Sequence, residues 1–415
     1  MRILIYSTNF APEQTGIGKY SGEMAAWLAD HGHDVRVVAA PPYYPEWRTD
    51  PKYVWPPFRR EQWRGVDVWR APLWVPKSPS GLTRIVHLLS FAITSFPVMM
   101  RQAFWRPDLV FTVAPAFVCA PAALLTARLA GAKSWLHLQD FEIDVAFGLG
   151  LLKGELLQRI VLRMERWILQ HFDTVSTISG RMIERLLTKG VAPERTRYFP
   201  NWVDVSRMRH GRAKESYRAE LGIPNDAVVA LFSGTLGGKQ GLMVIPAAAS
   251  LLRSRQDTVF VICGDGLMKP ELEAAVAGLS NVRLLPLQPA DRLAELLEMA
   301  DIHLLPQSPD AADLVLPSKL SGMLASGRPV IATCRADTEI SEIVSQCGLV
   351  VAPQDSSALA RAIGRLADDR PMRLELGRRA RAFAESNFER EAVLSALFGA
   401  LEPPAVPEIA NDVAA

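Results

Sequence analysis

The first forty residues, MRILIYSTNFAPEQTGIGKYSGEMAAWLADHGHDVRVVAA (1–40), decide the fold. Met1 to Ser7 is a short apolar run rich in β-formers, and Ala11 to Tyr20 is a loop carrying Gly16 and Gly18. Ser21 to Asp30 has helical spacing, and Val35 to Ala40 is a second apolar run. Strand, glycine loop, helix and strand in that order open a doubly wound parallel sheet, so the class is α/β. The rhythm returns at Leu109 to Val113, Ser134 to Leu138 and Thr174 to Ile178. After a polar, basic stretch it starts afresh at Val228 to Ser233, followed by Val259 to Gly264, Val282 to Leu285, Ile302 to Leu305 and Val330 to Thr333. Two Rossmann-like units are expected, over 1–205 and 206–385.

Length and composition agree with that division. At 415 residues the chain is two to three typical domains long, and 49% hydrophobic with 22% charged residues is ordinary for a folded protein. Wholesale disorder and a multi-span membrane protein are excluded. A net charge of +2 offers no footprint for nucleic acid, although residues 1–205 carry 24 Lys+Arg against 18 Asp+Glu while the remainder is net acidic. All 10 Trp lie in the first half. The four cysteines form no CxxC pair and no metal-ligand spacing, so no metal site is expected. The start lacks the apolar core of a signal peptide, which points to the cytoplasm. The Pro- and Ala-rich stretch 402–415 reads as disordered.

One basic region stands apart. Residues 36–106 hold 11 Lys+Arg against 4 Asp+Glu, and Ile85 to Met100 is a largely apolar run of 16 residues, short of the ~20 needed to span a bilayer. Arg59, Arg60, Trp63, Arg64 and Trp105 are read as a surface lying on an anionic membrane or an acceptor; a core helix beneath a basic loop is the alternative for 81–105.

Candidate chemistry sits after strands. Gly16 and Gly18 let backbone approach a bound group at a helix N-terminus, but no third glycine completes a dinucleotide fingerprint and Tyr20 replaces the Ser/Thr of a P-loop. Ser233 to Gly241 carries Gly234, Gly237, Gly238, Gly241 and Lys239, a pattern of backbone amides plus one cation that suits a diphosphate. Lys319, after Pro317 and Ser318 at the start of a helical run, supplies a second cation for a leaving phosphate. His137 and Asp140 follow a strand at the sheet edge, where they could position or deprotonate a hydroxyl.

Taken in order, the blocks FAPEQTGIGKY, LHLQDFEIDVAFGLGLL, VSTISGRMIERL, FPNWVD, FSGTLGGKQGL, VICGDGLMKPELE, ADIHLLPQSPDAAD and VLPSKLSGMLASGRPVIAT resemble the retaining glycosyltransferases of the GT4 family, over nearly the whole chain. The resemblance implies a GT-B architecture, two Rossmann-like domains across a cleft, with a last helix at about 386–401 packing back on the first. It implies a nucleotide diphosphate sugar on the second domain as co-substrate rather than a cofactor. GDP is expected ahead of UDP, with fucose as the sugar, an acceptor held by the first domain, and no metal. Carried over by position, Gly16 and Gly18 face the donor or acceptor, and Lys239, Lys319 and Ser318 hold the diphosphate. Gly264 and Gly266 lie by the nucleoside, Asp140 contacts the reacting hydroxyl or donor sugar, and Glu339 and Glu342 add donor contacts. Two departures stand out. Thr235 occupies a position where many members have Arg, and the family's glutamate pair falls on Leu314 and Gly322, with Asp313 beside the first. The implied acceptor is a lipid-linked oligosaccharide of exopolysaccharide assembly, reached by peripheral contact with the inner face of the cytoplasmic membrane. A catalytically inactive partner of such an assembly, or another GT-B enzyme such as a nucleotide-sugar epimerase, are the alternatives.

Overall fold

Apolar runs without alternation imply strands covered on both faces, and the computed structural model shows why. In β1 (Arg2–Ser7), Leu4 and Tyr6 enter one core while Ile3 and Ile5 enter another on the opposite side of the sheet. The described residues are 1–14, 16–77, 81–114, 117–141, 143–144, 154–208, 214–309 and 316–399. Residues 402–415 and Asp313 lie outside them.

The first sheet has the order β3-β4-β2-β1-β5-β6-β7-β8. Its further strands are β2 (Asp34–Ala39), β3 (Arg59–Trp63), β4 (Val66–Arg70), β5 (Leu109–Ala114), β6 (Lys133–Leu138), β7 (Thr174–Thr177) and β8 (Thr196–Tyr198). All pairings are parallel except β3 with β4. Helix α1 (Gly16–Asp30) covers one face; α2 (Gly81–Ala103), α3 (Ala120–Ala130), α4 (Glu155–His171) and α5 (Gly180–Thr188) cover the other.

The second sheet, order β11-β10-β9-β12-β13-β14, is wholly parallel. It comprises β9 (Val228–Ser233), β10 (Thr258–Cys263), β11 (Val282–Leu285), β12 (Ile302–Pro306), β13 (Val330–Thr333) and β14 (Gly348–Val351). Its helices are α6 (Lys214–Glu220), α7 (Val244–Leu251), α8 (Lys269–Val276), α9 (Leu293–Met299), α10 (Lys319–Ala325), α11 (Glu339–Cys347), α12 (Ser356–Asp368) and α13 (Arg370–Asn387). In each sheet the winding reverses beside the first strand, at β1 and at β9, and the crevice beyond those carboxyl ends is where such sheets bind ligands.

The chain crosses between the units twice, and the crossings are bonded together. Val203 N–H donates to Phe388 O at 2.8 Å and Arg390 N–H to Val203 O at 3.1 Å. The last helix, α14 (Arg390–Phe398), puts Leu394, Leu397 and Phe398 into the core beside α1, and Trp27 Nε1 donates to Glu391 at 2.8 Å.

The basic region is rearranged relative to its sequence reading. Arg59 to Trp63 lacks apolar alternation, yet it pairs antiparallel with β4 through a two-residue turn in which Arg64 and Gly65 have φ of 46° and 77°, as a hairpin of this hand requires. Two of its arginines are ion-paired within the domain. Arg60 makes a bidentate pair with Asp67 at 2.7 and 2.8 Å, and fully buried Arg70 bonds Glu61 at 2.8 Å. Arg59 bonds Lys52 O, Arg64 lies over Trp63, and Trp63 packs edge-on to Phe10, with its ring close to Gly22 of α1. Trp105 is covered by the Arg36 guanidinium at 4.3 Å. Of these five residues, Arg60 and Arg64 are exposed, while Arg59, Trp63 and Trp105 are half-buried. The apolar run nearby belongs to a helix of 23 residues rather than a 16-residue stretch.

Burial also fixes two histidines as neutral. His137 and His303 lie inside the sheets, and desolvation lowers each to about 3. A folded pKa below the unfolded value of about 6.5 means that the native state refuses a proton the unfolded chain accepts, so stability is present above pH 6.5 and lost as pH falls toward 3. Each is expected to cost roughly 2 kcal/mol at pH 5. Urea titrations between pH 6.5 and 5 are expected to show His303→Gln reducing proton uptake on unfolding by close to one proton; an unchanged slope contradicts the assignment.

Candidate active site

The glycine loop after β9 and the loop after β10 lie backbone against backbone. A Cβ on Gly264, at φ +155°, falls 1.9 Å from Gly234 O, and one on Gly266, at φ +149°, falls 2.5 Å from Leu236 O. Only glycine fits either position. Leu236 N–H donates to Asp265 O at 2.8 Å and Met268 N–H to Leu236 O at 2.9 Å, locking the two loops together. Gly264 and Gly266 thus let the two loops touch, which any side chain there would prevent.

Lys319 rises beside these loops from the first turn of α10. Its Nζ sits 4.0 Å from the centre of the Phe232 ring, and a Cβ on Gly234 would lie 3.5 Å from it. The stem is partly exposed, but Nζ is buried and has no hydrogen-bond partner among the described residues. Desolvation lowers its pKa to about 7. Among the described residues no anion neighbours this buried amine, which stands at the switch point of a parallel sheet, a setting that favours a negative ligand. Lys239 belongs to the 3-10 turn Gly238–Gln240 of the same loop; its side chain is outside what is described.

Across the cleft, the β1–α1 loop is organised by Glu13. Its carboxylate accepts from Tyr43 N–H and Tyr44 N–H, each at 3.0 Å, and from Asn9 Nδ2 at 2.9 Å. Burial raises its pKa against those bonds. Gly18 exists for this carboxylate, since a Cβ there would sit 2.5 Å from Glu13 Oε2, whereas Gly16 is exposed with Tyr44 as its nearest neighbour at 3.9 Å. Of the two glycines, Gly16 is the one left open to a ligand. Tyr20, one turn on, directs its buried hydroxyl to Ser318 and Ser321 of the second domain. The first glycine loop and the Pro-Ser-Lys turn therefore meet.

His137 does not reach the cleft. Its Nδ1 pairs with Ser176 Oγ at 2.9 Å, and Gln139 Nε2 donates to its Nε2 at 2.9 Å, which assigns the proton to Nδ1. Gln139 in turn donates to Asn201 Oδ1 at 3.1 Å, and Asn201 lines an interdomain cavity with Ile178, Leu316, Ser318, Ser321 and Phe388. A buried, neutral imidazole with both nitrogens engaged is no general base; it positions Gln139. Asp140, half-buried at the end of β6, lines a second cavity with Phe117, Phe141 and Glu165. Glu13, Tyr20, Gln139 and Asn201 escape the sequence reading, although each stands within two residues of a glycine, a proline or the Asp140 position already singled out.

Glu339 and Glu342, expected at the donor, face the first domain instead. The Glu339 carboxylate accepts Gly180 N–H at 2.9 Å and Arg181 N–H at 3.1 Å, capping α5 from the other domain, and Arg181 Nη2 pairs with Glu342 at 2.6 Å. An acid at a helix N-terminus satisfies two orphan amides and the dipole at once.

Residues 15–202 match the family model described as glycosyl transferase 4-like domain, and 227–369 the model of glycosyl transferases group 1. The Escherichia coli (strain K12) protein that carries the name colanic acid biosynthesis glycosyl transferase WcaI is 42% identical over 404 residues, covering 95% of this chain and 98% of its own. The chain belongs to the GT4-like glycosyltransferase family. Solved glycosyltransferase structures share its GT-B fold. Sucrose-phosphate synthase from Thermosynechococcus elongatus superposes with a TM-score of 0.74 at 19% identity, covering 96% of this chain and 98% of that one. Anabaena HepE in complex with UDP superposes with 0.70 at 17%, covering 97% and 99%.

In this glycosyltransferase the interlocked glycine loops are the part most sensitive to one added methyl group. Gly264→Ala is expected to cost about 2 to 3 kcal/mol by urea unfolding, because the clash is with a carbonyl and not a movable side chain. Gly238→Ala, with nothing within 4 Å of the added carbon, is expected to stay within about 0.5 kcal/mol of the parent. Equal losses at both positions would contradict this packing.

Proposed function

We propose that the protein transfers a sugar from a nucleoside diphosphate sugar, with retention and without a metal, onto a lipid-linked oligosaccharide of exopolysaccharide assembly at the cytoplasmic face of the membrane. The observation that carries the reading is the Nζ of Lys319, buried beside Gly234 with no partner among the described residues. A donor diphosphate seated there places an anion beside this amine, and Lys319 donates to an oxygen whose charge grows as the glycosidic bond breaks. Lys239 and the amides of 234–241 share that charge. Ser318, exposed at the head of α10, completes the turn.

The acceptor hydroxyl enters from the first domain and attacks C1 from the face the diphosphate leaves. The departing phosphate oxygen takes its proton, so no side-chain base is needed. That accords with His137 being neutral and interior. Asp140 orients the hydroxyl or the donor sugar, and Gly16 gives backbone access beside it. The name of the E. coli relative supports an exopolysaccharide product. Fucose from a GDP donor is the first choice, and the UDP bound to Anabaena HepE sets UDP as the competitor to be tested.

Lys319→Ala is expected to lower the rate of nucleotide release about 10²-fold, the loss typical of removing one preorganised charge from a transition state, with unchanged thermal stability. Parent-like turnover would remove Lys319 from the mechanism. A thermal-shift series with GDP, UDP and ADP and their sugar conjugates reads the base, because a ligand of the native state raises apparent stability. A GDP-selective shift is expected. A UDP-selective shift would replace the donor, and no shift with any nucleotide would defeat the transferase reading.

A further inference from the structure

Helix α2 is anchored along one side only. Phe91, Ser95 and Met99 are buried against the sheet, Ser95 Oγ lies 2.6 Å from Tyr6 Oη, and Thr94 Oγ1 bonds Pro72 O. Its opposite side carries Leu82, Val86, Leu89, Ile93 and Phe96, all exposed, at spacings of four and three that put them in one stripe down the helix. Ile93 is 72% exposed. Such a stripe on an otherwise folded domain marks an interaction surface.

A second stripe lies on α4. Leu156, Ile160, Met164 and Trp167 are exposed at the same spacing, while Ile168 and Leu169 on the other side enter the core. Both helices, with α3 between them in the sequence, pack on the same face of the first sheet through the same core. Their outward sides therefore look in one direction, and Leu125 and Leu129 of α3 are exposed there too.

Charge decides what covers this face. Between Gly81 and Gln139 the only acid is Asp108, against Arg84, Arg101, Arg106, Arg128 and Lys133. On α4 the exposed Arg163 and Arg166 flank Met164 and Trp167, whereas Glu165 points inward to Lys189 at 2.6 Å. An apolar surface bordered by guanidinium groups matches an anionic lipid leaflet, where acyl chains take the stripe and headgroups take the arginines. Although α2 has the length and composition of a membrane-spanning helix, its polar bonds to the sheet hold it flat against the domain, so it enters a leaflet sideways.

We infer that the outer face of α2, α3 and α4 docks the first domain on an anionic membrane, half-immersed, with its helices lying in the plane of the headgroups. This replaces the basic hairpin as the membrane contact. It rests on the proposed lipid-linked acceptor, and it places that acceptor's carrier on the same domain as Gly16 and Asp140.

The test is co-sedimentation with vesicles of phosphatidylcholine containing about 30% phosphatidylglycerol, against pure phosphatidylcholine. The native chain is expected to bind the anionic vesicles, and in about 0.5 M salt to keep a residual fraction that screening cannot remove. Ile93→Glu combined with Met164→Glu, both at exposed positions, is expected to weaken binding at least tenfold at unchanged melting temperature. Arg163→Gln with Arg166→Gln is expected to weaken it about fivefold per charge, on anionic vesicles alone. Failure of the native chain to sediment, or full binding by the glutamate variant, overturns the inference. So does a dimer in sedimentation velocity that the glutamate variant dissociates, since a second copy then owns the face. Nucleotide release measured without lipid, expected to be unchanged in the glutamate variant, reports the transferase reading separately.

Discussion

A lysine amine held out of water, with no counter-charge among the described residues, is the constraint on which the second domain's ligand-facing edge depends. Burial disfavours the ammonium, and the lowered pKa of Lys319 expresses that cost. The amine is kept there by rigid surroundings. Phe232 forms one wall, and the backbone at Gly234 forms the other. Gly234 is itself pinned by the loop that Gly264 permits to approach. Each element in this chain serves the next.

Among the described residues, polar contacts join the first domain to that centre. Tyr20 reaches the Pro-Ser-Lys turn, and Glu339 and Glu342 reach back to the start of α5. Charge-assisted contacts of this kind at a domain interface can form and release as a unit, in keeping with enzymes whose cleft must open for substrate and close against water. The paired crossings at Val203 and Arg390 form the hinge side of the same arrangement.

Much of this was legible from residues alone, for physical reasons. Both sheets announce themselves because strands buried on two faces must be apolar throughout, and the glycine loops because the turns after β9 and β10 leave no room for a side chain. The β3–β4 hairpin was illegible because β3 carries no apolar alternation: it is held to β4 by Arg60–Asp67 and Arg70–Glu61, while Val66 and Val68 of β4 enter the core. Roles at the site blurred where a residue's type is compatible with two partners. Gly18 serves Glu13 instead of a phosphate, Glu339 serves a helix end instead of a donor, and His137 serves Gln139 instead of a hydroxyl. Glu339 finds its partner 159 residues away, while Glu13 and Gln139 are close in sequence and only the fold turns them toward Gly18 and His137.

The account stands on Lys319 being the seat of the donor diphosphate, and proton linkage reads that directly. At about pH 8 the unliganded amine is mostly neutral, while an anion beside it favours the ammonium. Calorimetry of GDP or UDP binding, repeated in buffers of different ionisation enthalpy, is predicted to show uptake of close to one proton by the parent and none by Lys319→Met. Tight nucleotide binding by the parent with no proton uptake would contradict it.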